Sequence, residues 1–493
     1  MTLRAGSGTA LRPNSGLRTD ARPVVPPDAP GPVVPPTPTR MEAAALRRAA
    51  RTRVLLEGPI GPTLARLAAP NVLAMLVSSV LVITEAVFAG QLGISALAGL
   101  ALVFPLVMLV QMMSAGAMGG AISSAVSRAL GAGDPARAAG LAVTAWAIGL
   151  VAALIFALAV VGAGRTVFGW LGGDGAAVEA AYAYALVFFP GCLTYWLLHG
   201  TLSVMRGTGN MLAPACTLLA VAVATVPISG ALSLGWGPFP ALGMAGLAAG
   251  LVIAHGLAAI GAVLYVLAGR AGLTIDRAAF RLRRDRFADI LRVGLIASLN
   301  ALQSVATIVI MVALVGRFGP EAMAGYGLGA RLEFLMIPVV FGIGAAMTAM
   351  VGANIGAGAR ARALRIGFTG ALAAGGAVGC ISLTLALFPD LWLGLFLSPA
   401  DTAVLEAGRL YFRIVAPFLA FFALGLALYF ASQGAGRMIW PVAASFVRMG
   451  VAFGGALALV GPLGLGGIFV GVAAGMLVYG AMTAAAILAT RWR

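Results

Sequence analysis

The sequence predicts an all-α integral membrane protein of twelve transmembrane helices. They form two six-helix lobes related by a pseudo-two-fold axis along the membrane normal. Three observations carry this. The composition is 61% hydrophobic and only 10% charged, against about 25% charged residues in a soluble domain, and the mean hydropathy is +1.01. Apolar stretches long enough to cross a bilayer, about 20 residues each, recur from residue 60 to the end. The chain also repeats itself. Gly90-Gln-Leu-Gly93, Ala96-Leu-Ala-Gly99, Gly131-Ala-Gly133 and Ala136-Arg-Ala138 return as Gly316-Arg-Phe-Gly319, Ala322-Met-Ala-Gly325, Gly356-Ala-Gly358 and Ala361-Arg-Ala363. Arg206-Gly-Thr-Gly-Asn-Met211 returns as Gln433-Gly-Ala-Gly-Arg-Met438, and the offset stays between 224 and 227 residues. Duplication in so hydrophobic a chain implies a secondary transporter that handles its substrate between two halves.

Residues 1–57 hold nine prolines between Pro13 and Pro38, many arginines and no apolar core of a signal peptide. They are expected to be a disordered cytoplasmic arm, with Met41 as an alternative start. The N-terminal lobe is expected over 58–270, a basic cytoplasmic linker over 271–287 and the C-terminal lobe over 288–493. Spans are expected near 64–89, 96–121, 138–164, 181–205, 211–234 and 242–268 in the first lobe. The second lobe should hold 288–315, 322–350, 364–389, 407–431, 439–460 and 465–490. The breaks fall at Gly- and Pro-rich turns such as Gly90–Gly93 and Gly235-Trp-Gly-Pro-Phe-Pro240. Six spans per half is an even number, so the halves share one orientation.

All 32 basic residues are arginine. Without lysine the chain lacks the phosphate-binding residue of a P-loop and cannot form a Schiff base. The formal net charge of +16 does not signal nucleic acid, because the arginines sit in short clusters between apolar spans. Those clusters fall in the arm, after span 2, in the linker, after span 8 and in the tail. Alternate loops, with Arg165, Asp174, Glu179, Arg317, Glu321, Asp390 and Asp401, are near neutral. The positive-inside rule therefore places both termini in the cytoplasm, with the chain in the inner membrane. Cys192, Cys216 and Cys380 are too scattered for a disulfide frame or zinc site, and His199 and His255 alone make no metal cluster. No cofactor or catalytic constellation is expected.

The motifs resemble the multidrug and toxic compound extrusion (MATE) family. Leu67-Ala-Ala-Pro70, Glu85-Ala-Val-Phe-Ala-Gly90-Gln-Leu-Gly93 and Ala96-Leu-Ala98 look like its signature around span 1. Gly352-Ala-Asn-Ile-Gly-Ala-Gly358 with Arg362-Ala363 resembles its loop after span 8, and Gln433-Gly-Ala-Gly-Arg437 its turn after span 10. Tyr326-Gly-Leu-Gly-Ala-Arg331 is similar to the DinF-like branch. The likeness covers about residues 60–490. It implies a fold of two lobes in a V around a central cavity. It also implies an antiporter, a proton or sodium ion driving amphiphilic, often cationic, compounds out by alternating access.

Glu85 stands where DinF-like members carry an acidic residue, usually Asp, and Pro70 where they have a helix-bending proline. An ionised carboxylate at mid-membrane costs about 2.5–3.5 kcal/mol. Such a group suits proton carriage, sodium binding or attraction of a cationic drug; the plainer reading is a solvated carboxylate at the lipid boundary. The partner Asp-Pro of DinF-like span 5 is replaced by Val226-Pro227. The NorM-like acid of span 7 falls near Gln303 or Ser304, and span 10 has no central acid. One isolated carboxylate favours protons over sodium. Glu333 is the second coupling candidate. Arg331, two residues away, points to the opposite helix face and is a substrate-cavity candidate with Gln111, Met112, Tyr195, His199 and Gln303. Packing within the bundle is the plain alternative for each. Arg409, Arg413 and Arg448 read as interface or packing charges.

The resemblance implies a monomeric exporter of small amphiphilic cationic drugs in contact with membrane lipids. A lipid-linked oligosaccharide flippase of the same superfamily is the nearest rival. A non-transporting membrane scaffold is the more distant one. A basic cavity would favour the flippase.

Overall fold

The structure is a computed structural model that describes residues 39–173 and 175–492. The expected arm over residues 1–38, Asp174 and Arg493 lie outside the described residues.

Among the described residues, twelve helices are long and apolar enough to cross a membrane. Spans 1 to 6 are Ile60–Leu92, Ile94–Gly131, Pro135–Trp170, Gly175–Gly207, Leu212–Leu234 and Gly243–Leu267. Spans 7 to 12 are Arg284–Phe318, Pro320–Gly356, Arg360–Leu387, Thr402–Ala435, Ile439–Leu463 and Leu465–Thr490. Local signals set the ends. Span 3 opens with proline at its first position, and the Asp134 side chain caps it by accepting the Arg137 N–H at 2.8 Å.

The duplication is visible in the backbone. Gly93 and Gly319 cap spans 2 and 8 with φ of 116° and 97° and ψ of 173° and 174°, a conformation closed to residues with a Cβ. Gly133 and Gly358, at φ 76° and 77°, end the same two helices.

The two halves meet at the end where the arginine-rich loops lie. A Cβ on Gly131 would sit 2.0 Å from the Ala353 carbonyl, and one on Gly356 2.1 Å from the Arg128 carbonyl. These two contacts are repeat equivalents, so spans 2 and 8 cross about the pseudo-two-fold axis as an isologous interface does. Nearby, Asp289 at the start of span 7 accepts from Arg128 of span 2 at 2.6 Å and from Arg137 of span 3 at 3.1 Å. Ser124 donates to the Gly434 carbonyl at 2.9 Å. Span 1 joins this seam, because a Cβ on Gly342 of span 8 would meet the Val72 backbone nitrogen at 2.7 Å.

Span 2 carries a π-helical segment, Met112–Met118. Gln433 of span 10 reaches across the seam and donates to the Gly116 and Ala117 carbonyls at 3.2 and 3.0 Å. The wider winding frees carbonyls, and the glutamine occupies them.

Two boundaries differ from the sequence expectation. Residues Arg40–Glu57, expected to be disordered, form a helix. Its alanine- and leucine-rich face buries Ala44 and Leu55. Arg48 and Arg51 donate to the Gly272 and Ala271 carbonyls at 3.4 and 3.1 Å. Asn354 donates to the Leu55 carbonyl at 3.0 Å, and Arg362 donates to the Gly58 carbonyl. The segment is thus a strap touching both lobes. Proline ends at Pro38, and the good helix formers that follow, Ala, Leu and Arg, explain the switch. The linker expected over 271–287 is shorter, because span 7 begins at Arg284 and a short turn, Arg277–Phe280, is capped by Asp276.

Candidate functional site

Glu85 lies about 10 Å from the arginine-poor end of span 1, and Glu333 about 20 Å from the matching end of span 8, at about 1.5 Å per residue. Each faces the interior of its own lobe. Each accepts a hydrogen bond from a buried tyrosine of the fourth helix of its half: Tyr184 to Glu85 at 3.2 Å, and Tyr411 to Glu333. The two tyrosines are repeat equivalents, whereas the carboxylates are not. One rises from the first span of its lobe and the other from the second.

The Glu85 carboxyl opens onto a cleft lined by Leu81, Thr84, Phe88, Thr225, Val226 and Ser229, with no more than about 150 Å³ of empty space. Val226 therefore occupies the wall where an acid was missing from the sequence pattern. The Glu333 carboxyl opens onto Met336, Val340, Val378, Leu419 and Phe422, with no more than about 220 Å³. Drug-sized pockets span about 300–1,000 Å³, so in this arrangement neither carboxylate opens onto a drug-sized space.

Behind Tyr184, one face of span 4 carries a column of rings. Phe188 stacks on Tyr184 at 5.8 Å and approaches Tyr195 at 6.3 Å. Tyr195 contacts His199 and His255 at 4.5 Å each. Both ring nitrogens of His199 are buried without a partner, whereas His255 Nδ1 lies 2.8 Å from the Leu251 carbonyl. Tyr195 and His199 thus lie together inside the N-terminal lobe, joined by His255.

The other sequence candidates separate. Gln111 and Met112 sit half-buried where span 2 enters its π-helical segment. Gln303 is buried and donates to Thr307 Oγ1 at 2.8 Å, leaving its own oxygen unpartnered. Arg331, expected in the cavity, is exposed instead, its guanidinium 5.6 Å from the Phe396 ring centre. Two helical residues turn through about 200°, so Glu333 facing inward puts Arg331 outside. Pro70 lies inside span 1, two residues from the Val72 contact with span 8. Arg409 pairs with Asp390 through two bonds of 2.8 and 2.9 Å at the arginine-poor end.

Two participants were missed in the sequence, Tyr184 and Tyr411, and a third, Arg448, was read there as an interface or packing charge. The tyrosines were recoverable from the duplication, since few polar residues survive it. Arg448 of span 11 lies 5.0 Å from the Phe422 ring centre and 5.6 Å from that of Tyr479. Phe422 also lines the Glu333 pocket, so this arginine belongs to the C-terminal site rather than to a lobe interface.

The MatE family profile matches residues 70–229 and 296–456, one match in each lobe. The chain belongs to the MatE family. Its members are transporters rather than enzymes, and the family includes multidrug efflux proteins. A probable multidrug resistance protein NorM from Deinococcus radiodurans is 29% identical over 476 residues, 90% of this chain and 96% of the relative. A FAD transporter from Shewanella oneidensis is 26% identical over 316 residues, 63% of this chain and 68% of that protein. Among solved structures, a MATE protein in complex with MaL6 aligns with a TM-score of 0.79 at 23% identity, covering 89% of this chain and 98% of the other. The Vibrio cholerae MATE transporter VcmN in its bent form aligns at 0.78 and 20% identity, covering 90% and 98%. These two likenesses speak to the fold, which is the MATE architecture of twelve membrane helices.

Proposed function

We propose that this MatE-family chain is a proton-coupled antiporter of the DinF-like branch. In this reading it exports amphiphilic cationic compounds across the inner membrane by alternating access, as a monomer with both termini cytoplasmic. One observation carries it. Glu85 is a carboxylate inside the N-terminal lobe, held by one tyrosine hydroxyl and otherwise walled by apolar and hydroxyl side chains. A lone carboxylate of this kind can take up a proton from one side and give it up to the other. Sodium prefers several hard oxygen donors with more than one charge.

The path from Glu85 to the lobe seam is a single helix. Span 1 carries Glu85 against span 5 and, about 20 Å away, Val72 against Gly342 of span 8. Neutralising Glu85 changes how span 1 sits on Tyr184 and Ser229, and Pro70 lies beside the far contact where that change meets the other lobe. The arginine-rich end holds the lobe contacts and is cytoplasmic by the positive-inside rule. The arrangement described is therefore closed toward the cytoplasm.

The test is ethidium export, read as uptake into everted vesicles whose cytoplasmic face is outward, comparing an imposed proton gradient with a sodium gradient, for the wild type and Glu85→Gln. Efflux that is driven by protons alone and abolished by the substitution is expected. Sodium-driven efflux would overturn the ion, and proton-driven efflux surviving Glu85→Gln would overturn the carrier.

A further inference from the structure

The two lobes share a tyrosine–glutamate pair but differ in what stands behind it. In the C-terminal lobe a cation does. Arg448 of span 11 lies against Phe422 and Tyr479, with its guanidinium carbon 5.0 and 5.6 Å from their ring centres. Its Nε is buried without a partner. Phe422 is also a wall of the Glu333 pocket, so the guanidinium and the carboxylate flank the same aromatic ring. Opposite charges beside one ring in a low-dielectric interior attract. The rings fix the guanidinium, because an arginine held against aromatic faces keeps its charge while shedding water.

The remaining titratable groups around Glu333 are phenols. Tyr411 donates to it, Tyr326 meets Tyr411 edge to face at 5.9 Å, and Tyr479 lies beyond Arg448. Arg331 points away onto Phe396. In the N-terminal lobe, Glu85 faces Tyr184 from span 4 and Thr225 and Ser229 from span 5, whose hydroxyls donate to the Val221 and Leu247 carbonyls, with Tyr195 further along span 4. The stretch of span 5 equivalent to Arg448 is Val221, Ala222, Val223 and Ala224, which is apolar. The duplication kept the tyrosine in both lobes, whereas the cation is present in one.

We infer that Arg448 is a positioning residue, a fixed counter-cation that keeps Glu333 ionised through the transport cycle. The C-terminal lobe then offers a permanent carboxylate, and Glu85 alone exchanges a proton. This rests on the proposed role of Glu85 as proton carrier. It assigns different duties to two carboxylates that look alike in sequence. An unpaired carboxylate in such a pocket would be driven toward its neutral form, whereas a nearby opposite charge favours the ionised one.

The test uses the full-length purified chain in proteoliposomes with ethidium as probe. Proton-driven flux is followed against external pH for the wild type, Arg448→Lys, Arg448→Gln, Glu333→Gln and the double variant Glu333→Gln/Arg448→Gln. The wild type and Arg448→Lys should show one titrating group. Arg448→Gln should show a second, steepening the profile toward two protons. The double variant, which removes both members of the pair, should return to one. A wild-type profile in Arg448→Gln, or a changed slope that persists when residue 333 is glutamine, would overturn the inference.

Pair breaking is often harmful to folding, so a measurement without arginine variants stands beside it. In infrared difference spectra between about pH 8 and pH 6, above the range where ordinary carboxylates titrate, the protonated-carboxyl band should vanish in Glu85→Gln and persist in Glu333→Gln. Loss of that band in Glu333→Gln would refute a permanently ionised Glu333. Proton-driven flux surviving Glu85→Gln would instead sink the carrier reading and leave the Arg448 comparison standing on its own.

Discussion

Replacing Gly356 by alanine should open the seam between the lobes. The added Cβ would lie 2.1 Å from the Arg128 carbonyl oxygen and 2.8 Å from its carbon, well inside van der Waals contact. The obstructing atoms are helix backbone, so no flexible side chain can swing aside. The helices must part by about 1 Å or more, and over-packing of this kind costs about 1–3 kcal/mol. At about 1.4 kcal/mol per factor of ten, the arrangement described here should lose about five- to 150-fold in population. The competitor it loses to is one with the arginine-rich ends apart. Gly131→Ala strikes the equivalent place on the other lobe, where the Ala353 carbonyl is 2.0 Å away, and should act alike. Spin labels at the exposed, repeat-equivalent Ala132 and Ala357 would report the separation after Cys216 and Cys380 are replaced. A longer-distance population should grow in both variants. Gly450→Ala, where a Cβ meets nothing within 4 Å, should leave the distances alone. Unchanged distances in Gly356→Ala and Gly131→Ala would refute the claim that this crossing is the closed gate.

Asp289→Asn should favour the same opened arrangement, because it removes the acceptor shared by Arg128 and Arg137 across the seam. The measurement is again the label separation, and because the pair is partly exposed the shift should shrink at high salt. Arg409→Gln tests the opposite end of the molecule. The Arg409 guanidinium holds the Asp390 carboxyl below the usual aspartate range, so any stabilisation is present above about pH 3.9 and is lost only as pH falls through the lowered value. Any loss of thermal stability should therefore be small, because the pair is exposed, and the same at every pH between 5 and 8, and a pH-dependent loss in that window would show that Arg409 has another partner.

The fold was legible because bilayer physics and gene duplication each leave a periodic mark. Twelve apolar runs and the recurring Gly-Xaa-Xaa-Gly caps sufficed, and Gly93 and Gly319 take the same backbone conformation because each must turn one span directly into the next. The strap at Arg40–Glu57 was hidden by composition. Its arginines read as a continuation of the proline-rich arm, and only tertiary contacts such as Asn354 to the Leu55 carbonyl give the helix somewhere to dock. Glu85 and Glu333 stood out because charge is rare in a membrane span. Their hydroxyl partners did not, because tyrosine is common at interfaces and in packed cores alike, and a single occurrence carries no signal.

Arg448 marks the limit of that kind of reading. A lone arginine in an apolar helix has one sequence signature and several structural meanings, and Arg331 and Arg448 show two of them. The first turns out onto Phe396, about 200° round the helix from its neighbouring carboxylate. The second turns in, against the ring that walls the Glu333 pocket. Which way each points is decided by helix phase relative to neighbours, and hydropathy is blind to phase when nearly every surrounding residue is apolar. The repeat restores part of that information. Comparing span 5 with span 11 over the same range of offsets puts Val221–Ala224 against Arg448, and comparing span 4 with span 10 puts Tyr184 against Tyr411. A polar residue present in both halves suggests a shared architectural need, whereas one present in a single half marks where the lobes have taken different parts in the same cycle.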